Sequence, residues 1–531
     1  MAHQSVKQSV DAVVVGAGFG GIYMVHRLRE AGFTVQGIET AGGVGGTWYW
    51  NRYPGARCDI PSLLYSYSWS DDLIDNWRWS EKYAPQPEIL AYANFVADRL
   101  NIRDHFKFNT RVAHAIYNEV TKRWDVTTDS GEVFDAQYCI MATGCLSAPR
   151  DPDFDGAANF KGESYITGRW PHEKVDFTGK RVAMIGTGSS GIQSMPLIAA
   201  EAAQVTVFQR TPNYSLPALN GPIPEEERAA FREGLPVYRE MLAAGDPGFP
   251  LPPEGWVPTD EELAALTEGL WNGGGLVSLT VIPNLIRDEY INEAAGQFVR
   301  NKIAEIVKDP KVAEKLTPRE FPFATKRACV DTDYYASYNR DNVSLIDLRE
   351  TPIEAITETG IKTSAGEMPF DAIVYATGFD AMTGALVRID IRGRNGITLK
   401  DAWEHGPKTY LGLTVADFPN FFTITGPGSP SVLTNMMTSI EQHVEWIMNT
   451  ITHVRDRQLH VIEATHEAQE KWVAHVNEEA DKTLFPRANS WYLGANVPGK
   501  PRVFMPYVSQ DYKQLIDEAV ADDYRGFAMS A

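Results

Sequence analysis

The chain has 531 residues, 44% of them hydrophobic, which is enough for about two to four domains with large cores. Its formal net charge of −20 disfavours nucleic acid as a partner, and no apolar run is long enough to span a bilayer. The polar N-terminus, MAHQSVKQSVD, and the four scattered cysteines, which have no zinc-ligand spacing, predict a cytoplasmic protein with reduced thiols, no structural metal and no membrane partner.

The first predicted elements are a strand, a glycine turn and a helix. The β-branched run at residues 13–15 predicts a buried parallel strand. It leads into Gly16, Gly18 and Gly21, spaced as G-x-G-x-x-G, where a pyrophosphate can approach the backbone and the helix N-terminus. The next strand ends at Glu39, about twenty residues on, where a ribose hydroxyl needs an acceptor. This order predicts a dinucleotide site; the alternative is an empty turn.

A glycine- and aromatic-rich segment follows at residues 41–61. Its aromatic side chains, Trp48, Tyr49 and Trp50, fit either a packed turn or a loop wrapped over a flat ring system such as an isoalloxazine. We favour the second interpretation, because the preceding dinucleotide site calls for a large ligand. A strand predicted at 138–143 ends in Ala-Thr-Gly and closes the first unit.

A second strand and glycine turn begin near residue 180. Gly186, Gly188 and Gly191 repeat the spacing, but the following strand, 204–209, ends at Arg210 and Thr211 instead of an acid. A carboxylate would repel a 2′-phosphate, whereas arginine pairs with it. The second nucleotide is therefore predicted to be NADP; the alternative is an ordinary surface arginine.

The α/β order is interrupted between about 216 and 320. Thr259 and Glu262 predict a capping box, and apolar residues at helical spacing predict a helix through 295–306. We expect a helical insertion over the cleft, for which packing and gating remain equally open. A strand at 372–380 with a second Ala-Thr-Gly closes the second unit. An amphipathic helix at 440–454 and a loop at 490–500 follow.

The segment before the second unit, FKGESYITGRWPH, resembles the fingerprint of type I Baeyer–Villiger monooxygenases. The matching positions are Phe160, Gly162, Trp170, Pro171 and His172. The resemblance covers almost the whole chain, including GTWYWNRYPGARCDIPS, FQRTP, TKR, YATGFDAMTGAL, GPGSPS and SIEQHVEW, and is strongest to the phenylacetone monooxygenase branch. No Cys-x-x-x-x-Cys of a disulfide reductase follows the first unit.

The resemblance implies an α/β fold with two Rossmann-like dinucleotide-binding domains and a helical insertion. FAD is expected on the domain formed by 1–146 and 386–531, and NADPH on the domain formed by 147–217 and 326–385. The insertion then spans 218–325.

The implied reaction uses NADPH and O2 to convert a ketone to an ester or lactone through a C4a-peroxyflavin. Arg327 matches the catalytic arginine of the family, and Asp59 matches the acid that orients it. Lys326 matches a contact to the NADP 2′-phosphate beside Arg210. Without the resemblance, Asp59 and Arg327 would suggest only a salt bridge.

Two sets of site residues complete this prediction. The cofactor-binding set is Gly16, Gly18, Gly21, Glu39, Gly46, Thr47, Trp48, Asp59, Tyr65, Gly186, Thr187, Gly188, Ser189, Ser190, Gly191, Gln193, Arg210, Thr211, Lys326 and Trp491. The substrate-pocket set is Cys145, Leu146, Ala328, Ser431, Val432, Leu433 and Met436, with a loop bulge that favours bulky, aryl or cyclic ketones.

One position departs from the fingerprint, because its histidine falls on Ile166. Isoleucine can neither carry a proton nor donate a hydrogen bond, so we expect position 166 to act on domain movement and coupling, not on bond-making. Two alternatives remain for the whole chain: an N- or S-oxidising flavin monooxygenase, and a non-catalytic NADPH-binding redox sensor. The expected assembly is a monomer or a weak homo-oligomer.

Overall fold

The computed structural model describes residues 7–245, 252 and 255–531. The start of the predicted polar N-terminus, and part of the glycine- and proline-rich linker inside the predicted insertion, lie outside the described residues. The described part of the chain contains twenty strands and fifteen α-helices.

The strands, in chain order, are β1 Gln8–Val15, β2 Val35–Ile38, β3 Phe106–Lys107, β4 Val112–Asn118, β5 Arg123–Thr128, β6 Val133–Met141, β7 Glu163–Ile166, β8 Arg181–Ile185, β9 Gln204–Gln209, β10 Ser215–Pro217, β11 Cys329–Asp331, β12 Val343–Asp347, β13 Ile353–Ile356, β14 Gly360–Thr363, β15 Gly366–Pro369, β16 Ala372–Tyr375, β17 Asp390–Arg392, β18 Phe421–Thr423, β19 Val461–Ala464 and β20 Phe527–Ser530.

The helices are α1 Phe19–Glu30, α2 Thr47–Trp50, α3 Asp71–Asp75, α4 Gln86–Arg99, α5 Ser189–Glu201, α6 Glu225–Ala244, α7 Asp260–Gly273, α8 Glu289–Ile306, α9 Pro310–Leu316, α10 Tyr334–Ser337, α11 Gly384–Val387, α12 Leu399–Ala402, α13 Met436–Asp456, α14 His466–Asp481 and α15 Tyr512–Ala521.

Two sheets carry the architecture. The first has the order β17-β4-β5-β6-β1-β2-β3, with β18 also paired to β6, and the second has the all-parallel order β12-β9-β8-β16-β7. In β1, Val14 packs into one core while Val13 and Val15 pack into the core on the other face. A parallel strand covered on both faces needs such an uninterrupted apolar run. The predicted α/β class with two Rossmann-type sheets is confirmed.

Both sheets are assembled from separate parts of the chain. The first combines strands from residues 8–141 with β17 and β18, and the second combines strands from 163–209 with β12 and β16. Between β10 and β11 the chain forms helices α6 to α9, and the predicted capping box of Thr259 and Glu262 opens α7. The exact domain boundaries stay predictions.

Two predicted strands end earlier than expected. The sequence predicted strands through Thr143 and Asp380, but β6 ends at Met141 and β16 at Tyr375. The glycine of each Ala-Thr-Gly has a positive φ, +70° at Gly144 and +77° at Gly378. Residues of an extended strand do not adopt such an angle. These residues therefore leave the sheet as loops at its carboxyl edge.

Gly16 and Gly186 begin the two predicted turns, with φ of +111° and +115°. A Cβ on either one would lie within 2.4 Å of the carbonyl oxygen of Ala142 or Ala376, so each turn packs tightly against the Ala-Thr-Gly loop beside it.

Within the described residues, no helix is both long and apolar enough to cross a membrane.

The second glycine turn permits a matched test of this packing. A Cβ at Gly191 would lie 2.3 Å from the Gly186 carbonyl oxygen, whereas a Cβ at Gly188 would meet no atom within 4 Å. We expect Gly191→Ala to destabilise the protein by about 2 kcal/mol or more, because backbone atoms must move to accommodate it. Gly188→Ala, at a φ of −85°, should leave stability unchanged. Thermal unfolding of both purified variants measures the difference, and equal midpoints would contradict the packing argument.

Candidate active site

A cavity of about 940 Å³ opens along the carboxyl ends of the parallel strands of the two sheets. Both glycine turns, both Ala-Thr-Gly loops and the start of α13 line it. In open parallel sheets, ligands bind outside the carboxyl ends of the strands. The volume lies near the top of the range for ligand pockets, as a site for two dinucleotides and a substrate requires.

The first glycine turn leaves donors free for a phosphate. Helix α1 begins after Gly18 without a side-chain cap, so its first-turn N–H groups have no side-chain partner at that end. Glu39 accepts hydrogen bonds from the backbone N–H groups of Ala17 and Ala41, both at 2.7 Å. Burial raises the pKa of Glu39, and these hydrogen bonds oppose that shift. The turn and its acid thus fit a dinucleotide with a ribose hydroxyl at Glu39.

The aromatic segment after Glu39 forms one wall of the cavity. Trp48 and Trp50 line it from the short helix α2, and the Trp48 indole N–H donates to the Tyr65 hydroxyl at 3.1 Å. Tyr49 instead packs edge-on against His172, with ring centroids 5.1 Å apart. Only part of the predicted aromatic wall therefore borders the cavity, because helix α2 directs its three aromatic side chains differently.

Arg327 and Asp59 form a bidentate ion pair on the cavity wall. The Arg327 Nε and Nη2 donate to the two Asp59 oxygens at 2.7 and 2.8 Å, and Nη1 donates to the Val432 carbonyl at 2.7 Å. Each side chain of the pair is 23% exposed. Burial alone would lower the pKa of Arg327, but the charge and hydrogen bonds of Asp59 raise it well above the usual value. The guanidinium is a permanent, oriented cation at any working pH.

The carbonyl that holds Arg327 belongs to an unusual turn. Ser431, the residue before Val432, is fully buried and has a φ of +43°, a conformation that residues with a Cβ rarely adopt. Its hydroxyl faces the Met382 sulfur at 3.9 Å. This turn delivers the Val432 carbonyl to Arg327, so the predicted bulge contributes to the position of the cation.

Two cationic side chains line the half of the cavity that holds the second glycine turn. Helix α5, like α1, begins without a side-chain cap, at Gly188. Arg210 and Lys326 both line the cavity, and the Lys326 ammonium lies 4.4 Å from the ring centroid of Phe321. Burial lowers the pKa of Lys326, and the nearby charge of Arg210 lowers it further. Two neighbouring cations that repel each other fit an anionic ligand such as a 2′-phosphate.

The structure brings most predicted site residues to the cavity wall. These are Gly16, Gly18, Glu39, Gly46, Thr47, Trp48, Asp59, Tyr65, Cys145, Leu146, Gly186, Thr187, Gly188, Ser189, Ser190, Gln193, Arg210, Thr211, Lys326, Arg327, Val432, Met436 and Trp491.

Five predicted residues lie behind that wall. Gly21 and Gly191 face the carbonyl oxygens of Gly16 and Gly186, which is the helix–strand packing expected of them. Ala328 packs into the core of the insertion helices, and Ser431 is buried against Met382. Leu433 packs on the apolar cluster beside the cavity. Of the seven predicted substrate-pocket residues, Cys145, Leu146, Val432 and Met436 therefore line the cavity, whereas Ala328, Ser431 and Leu433 do not.

Sequence reasoning missed two tyrosines at the site. Tyr53 lines the cavity and its hydroxyl donates to the Gln193 Oε1 at 2.9 Å, which joins the aromatic segment to helix α5. Tyr492 is 2% exposed, and its phenol raises the pKa of Arg327. Tyr492 directly follows Trp491, a predicted cofactor residue, and this adjacency is the sequence feature that could have indicated Tyr492. Nothing in the local sequence pointed to the Tyr53 contact.

Ile166 does not line the cavity but lies next to residues that do. It ends β7, pairs with Tyr375 of β16, and is a partly buried member of an apolar cluster with Phe154 and Ile185, both of which line the cavity. Arg169, three residues on, lines the cavity. An isoleucine in this cluster acts by packing.

Comparisons with known proteins agree with this geometry. Residues 10–241 match the family model described as pyridine nucleotide-disulphide oxidoreductase. The chain is 44% identical to a Baeyer–Villiger monooxygenase of Pseudooceanicola batsensis over 98% of its own length and 96% of that protein. Among solved structures, oxidised steroid monooxygenase bound to NADP has 48% identity and a TM-score of 0.94, with coverage of 98% and 100%. A complex of OTEMO with FAD and NADP has 41% identity and a TM-score of 0.93, with coverage of 99% and 100%.

Identities above 40% over nearly the full length of both chains define the class: the fold and the site are those of a flavin-dependent monooxygenase with two dinucleotide-binding domains. The chain belongs to the Baeyer–Villiger monooxygenases. It is an FAD-containing, NADPH-dependent enzyme that uses O2 to convert ketones to esters or lactones. The N- or S-oxidising enzyme and the redox sensor are not favoured by these relatives.

The cation pair at the second turn predicts the coenzyme preference. Arg210→Ala removes a charge-assisted contact of about 1.5–3 kcal/mol, so kcat/KM for NADPH should fall about ten- to a hundredfold while that for NADH hardly changes. Steady-state kinetics with both coenzymes measure this. Arg319→Ala, an exposed arginine paired with Glu314, is the matched control and should change neither value. An equal loss with both coenzymes would contradict a role in 2′-phosphate recognition.

Proposed function

We propose that Arg327 is the catalytic cation of this enzyme and that Asp59 is the residue that positions it. The observation that carries the proposal is the bidentate pair on the cavity wall, with a third hydrogen bond to the Val432 carbonyl. When bound, the flavin supplies the oxygen-transfer chemistry, with NADPH as reductant and O2 as the oxygen source. Three hydrogen bonds leave N–H donors of the guanidinium free to stabilise negative charge that develops on oxygen.

The other residues of the site divide between the two cofactors. The first glycine turn, Glu39 and the aromatic segment would hold FAD, and the second turn with Arg210 and Lys326 would hold NADPH. Tyr53 and Gln193, bonded at 2.9 Å, would keep the two halves of the cavity in register. All of these groups would bind or orient a cofactor. Arg327 differs from them because Asp59 fixes the position of its charge at the cavity wall.

We further propose a preference for bulky, aryl or cyclic ketones, in keeping with the phenylacetone branch. Four of the predicted pocket residues, Cys145, Leu146, Val432 and Met436, border the cavity with apolar surface. Cys145 and Met436 have polarizable sulfur-containing side chains, and the methionine is also flexible, so this part of the cavity can accommodate ligands of varied shape. The finer placement in that branch stays a prediction.

We also propose a cytoplasmic enzyme that is a monomer or a weak homo-oligomer. All four cysteines lie in the described part of the chain as free, buried thiols, which suits a reducing compartment. The net charge of −20 opposes strong self-association.

The central test separates oxygen transfer from flavin reduction. Arg327→Met keeps the side-chain stem and removes the charge, so ester formation from a panel of aryl and cyclic ketones should fall below detection while NADPH still reduces the flavin. Product analysis by mass spectrometry and stopped-flow absorbance measure the two steps.

Arg327→Met leaves the Asp59 charge without its partner, which costs about 3–5 kcal/mol in a fully buried pair and less in this one, whose side chains are 23% exposed. The double variant Asp59→Asn with Arg327→Met is therefore the folding control and should be more stable than the single variant but equally unable to form ester. Flavin reduction that fails together with ester formation would show that Arg327 serves mainly in coenzyme binding.

The departure at Ile166 gives an independent prediction. Because Ile166 does not line the cavity and packs in an apolar cluster, Ile166→His should change turnover or the ester formed per NADPH by at most about tenfold, or about 1.4 kcal/mol. Ile166→Val, which keeps an apolar side chain, is the control for packing. Undetectable ester in the natural protein that Ile166→His restores would show that the histidine is required chemically.

A further inference from the structure

A second cavity, of about 370 Å³, lies between helix α6 and the segment 63–92. We call it the α6 crevice; it is lined by Leu63, Ser66, Leu73, Ile74, Asp75, Trp77, Arg78, Trp79, Tyr92, Glu225, Arg228, Ala229, Phe231 and Arg232. It shares no lining residue with the active-site cavity. None of the groups assigned to FAD, NADPH or the ketone is part of it.

One wall of the α6 crevice is an aromatic cluster. The ring centroid of Trp77 lies 5.5 Å from Trp79 and 5.3 Å from Tyr92, and Trp79 lies 4.9 Å from Tyr92. The Trp79 indole N–H donates to the Ser66 hydroxyl at 2.8 Å, whereas the buried Trp77 indole N–H has no partner among the described residues. Such a wall offers flat apolar surface for a ring.

Arginines on both walls of the crevice differ in how fully they are paired. Arg78 is paired with Glu225, and Arg232 is paired with Asp75 at 2.8 Å and with Asp71 at 3.0 Å. Arg228 has no carboxylate within hydrogen-bond distance; Glu225 is 3.9 Å from its Nε. Arg228 is therefore the crevice arginine with the weakest carboxylate contact.

Arg228 is also incompletely bonded. Its Nη2 donates to the Trp79 carbonyl, which fixes the guanidinium against the aromatic wall. Among the described residues, Nε has no acceptor within hydrogen-bond distance, and Nη1 makes no hydrogen bond. A guanidinium anchored on one side, with a free terminal donor on the other, is arranged to receive a carboxylate.

We propose that the α6 crevice is a second ligand site, which binds a small aromatic carboxylate. The carboxylate pairs with Arg228, and the ring lies on Trp77 and Trp79. The volume fits a molecule of one or two rings, because ligand pockets of this kind begin at about 300 Å³. Since α6 forms one wall and segment 63–92 the other, the ligand strengthens the attachment of the insertion to the first domain.

Isothermal titration of the holoenzyme, saturated with NADP⁺, with 2-naphthoate tests the site. We expect one binding event with a dissociation constant of about 0.1 mM, and at least tenfold weaker binding of the neutral isostere 2-naphthamide. Arg228→Met, which keeps the stem of the side chain, should weaken 2-naphthoate binding at least tenfold.

A matched pair of variants on α6 keeps the test independent of Arg228. Ala229 lines the crevice and Ala230, the next residue, does not, although both are exposed helical alanines. Ala229→Leu should fill the crevice and abolish binding, whereas Ala230→Leu should leave it unchanged. Ester formation should be unaltered in both.

Three results would overturn the proposal. Equal affinity for 2-naphthoate and 2-naphthamide would show that the charge of Arg228 is not used. Binding that survives Ala229→Leu would place the ligand elsewhere, for example in the active-site cavity. No detectable binding of 2-naphthoate at millimolar concentration would show that the crevice holds only water.

Discussion

The site depends on one interaction, the partly buried ion pair of Arg327 and Asp59. The two residues are 268 positions apart, and the insertion helices lie between them in the chain. Transferring both charges out of water costs several kcal/mol per ion, and only a geometry with good hydrogen bonds compensates that cost. The bidentate contact and the Val432 carbonyl supply those bonds. The surrounding fold therefore serves to hold a cation where an isolated one would be unfavourable.

The two halves of the cavity have the same backbone arrangement for a nucleotide but differ in the charge of one side chain. Each begins with a glycine of positive φ locked against an Ala-Thr-Gly loop, and each presents an uncapped helix N-terminus to a phosphate. They differ at the end of the second strand of each unit, where Glu39 is an acceptor and Arg210 a donor. That single difference in charge is the basis of our proposal that one turn receives a ribose hydroxyl and the other a 2′-phosphate.

The left-handed turn at Ser431 illustrates how strain is maintained near a reactive group. A residue with a Cβ at a φ of +43° costs of the order of 1 kcal/mol or more, and it persists only where the surroundings fix it. Here the surroundings are complete burial and the hydrogen bond of the next carbonyl to Arg327. The same turn thus places the Val432 carbonyl against the cation that we propose to be catalytic.

The sequence by itself determined the local elements. Strand β9 at Gln204–Gln209, the capping box at Thr259 and both glycine turns followed from periodicity and turn chemistry, because these depend on neighbouring residues alone. The resemblance added Arg327 and Asp59, which no local pattern would have paired. Only the tertiary structure decided which side chains reach the cavity. Ala328 turns into the core and Tyr53 reaches Gln193 because packing between distant segments sets those directions, and a linear chain carries no record of them.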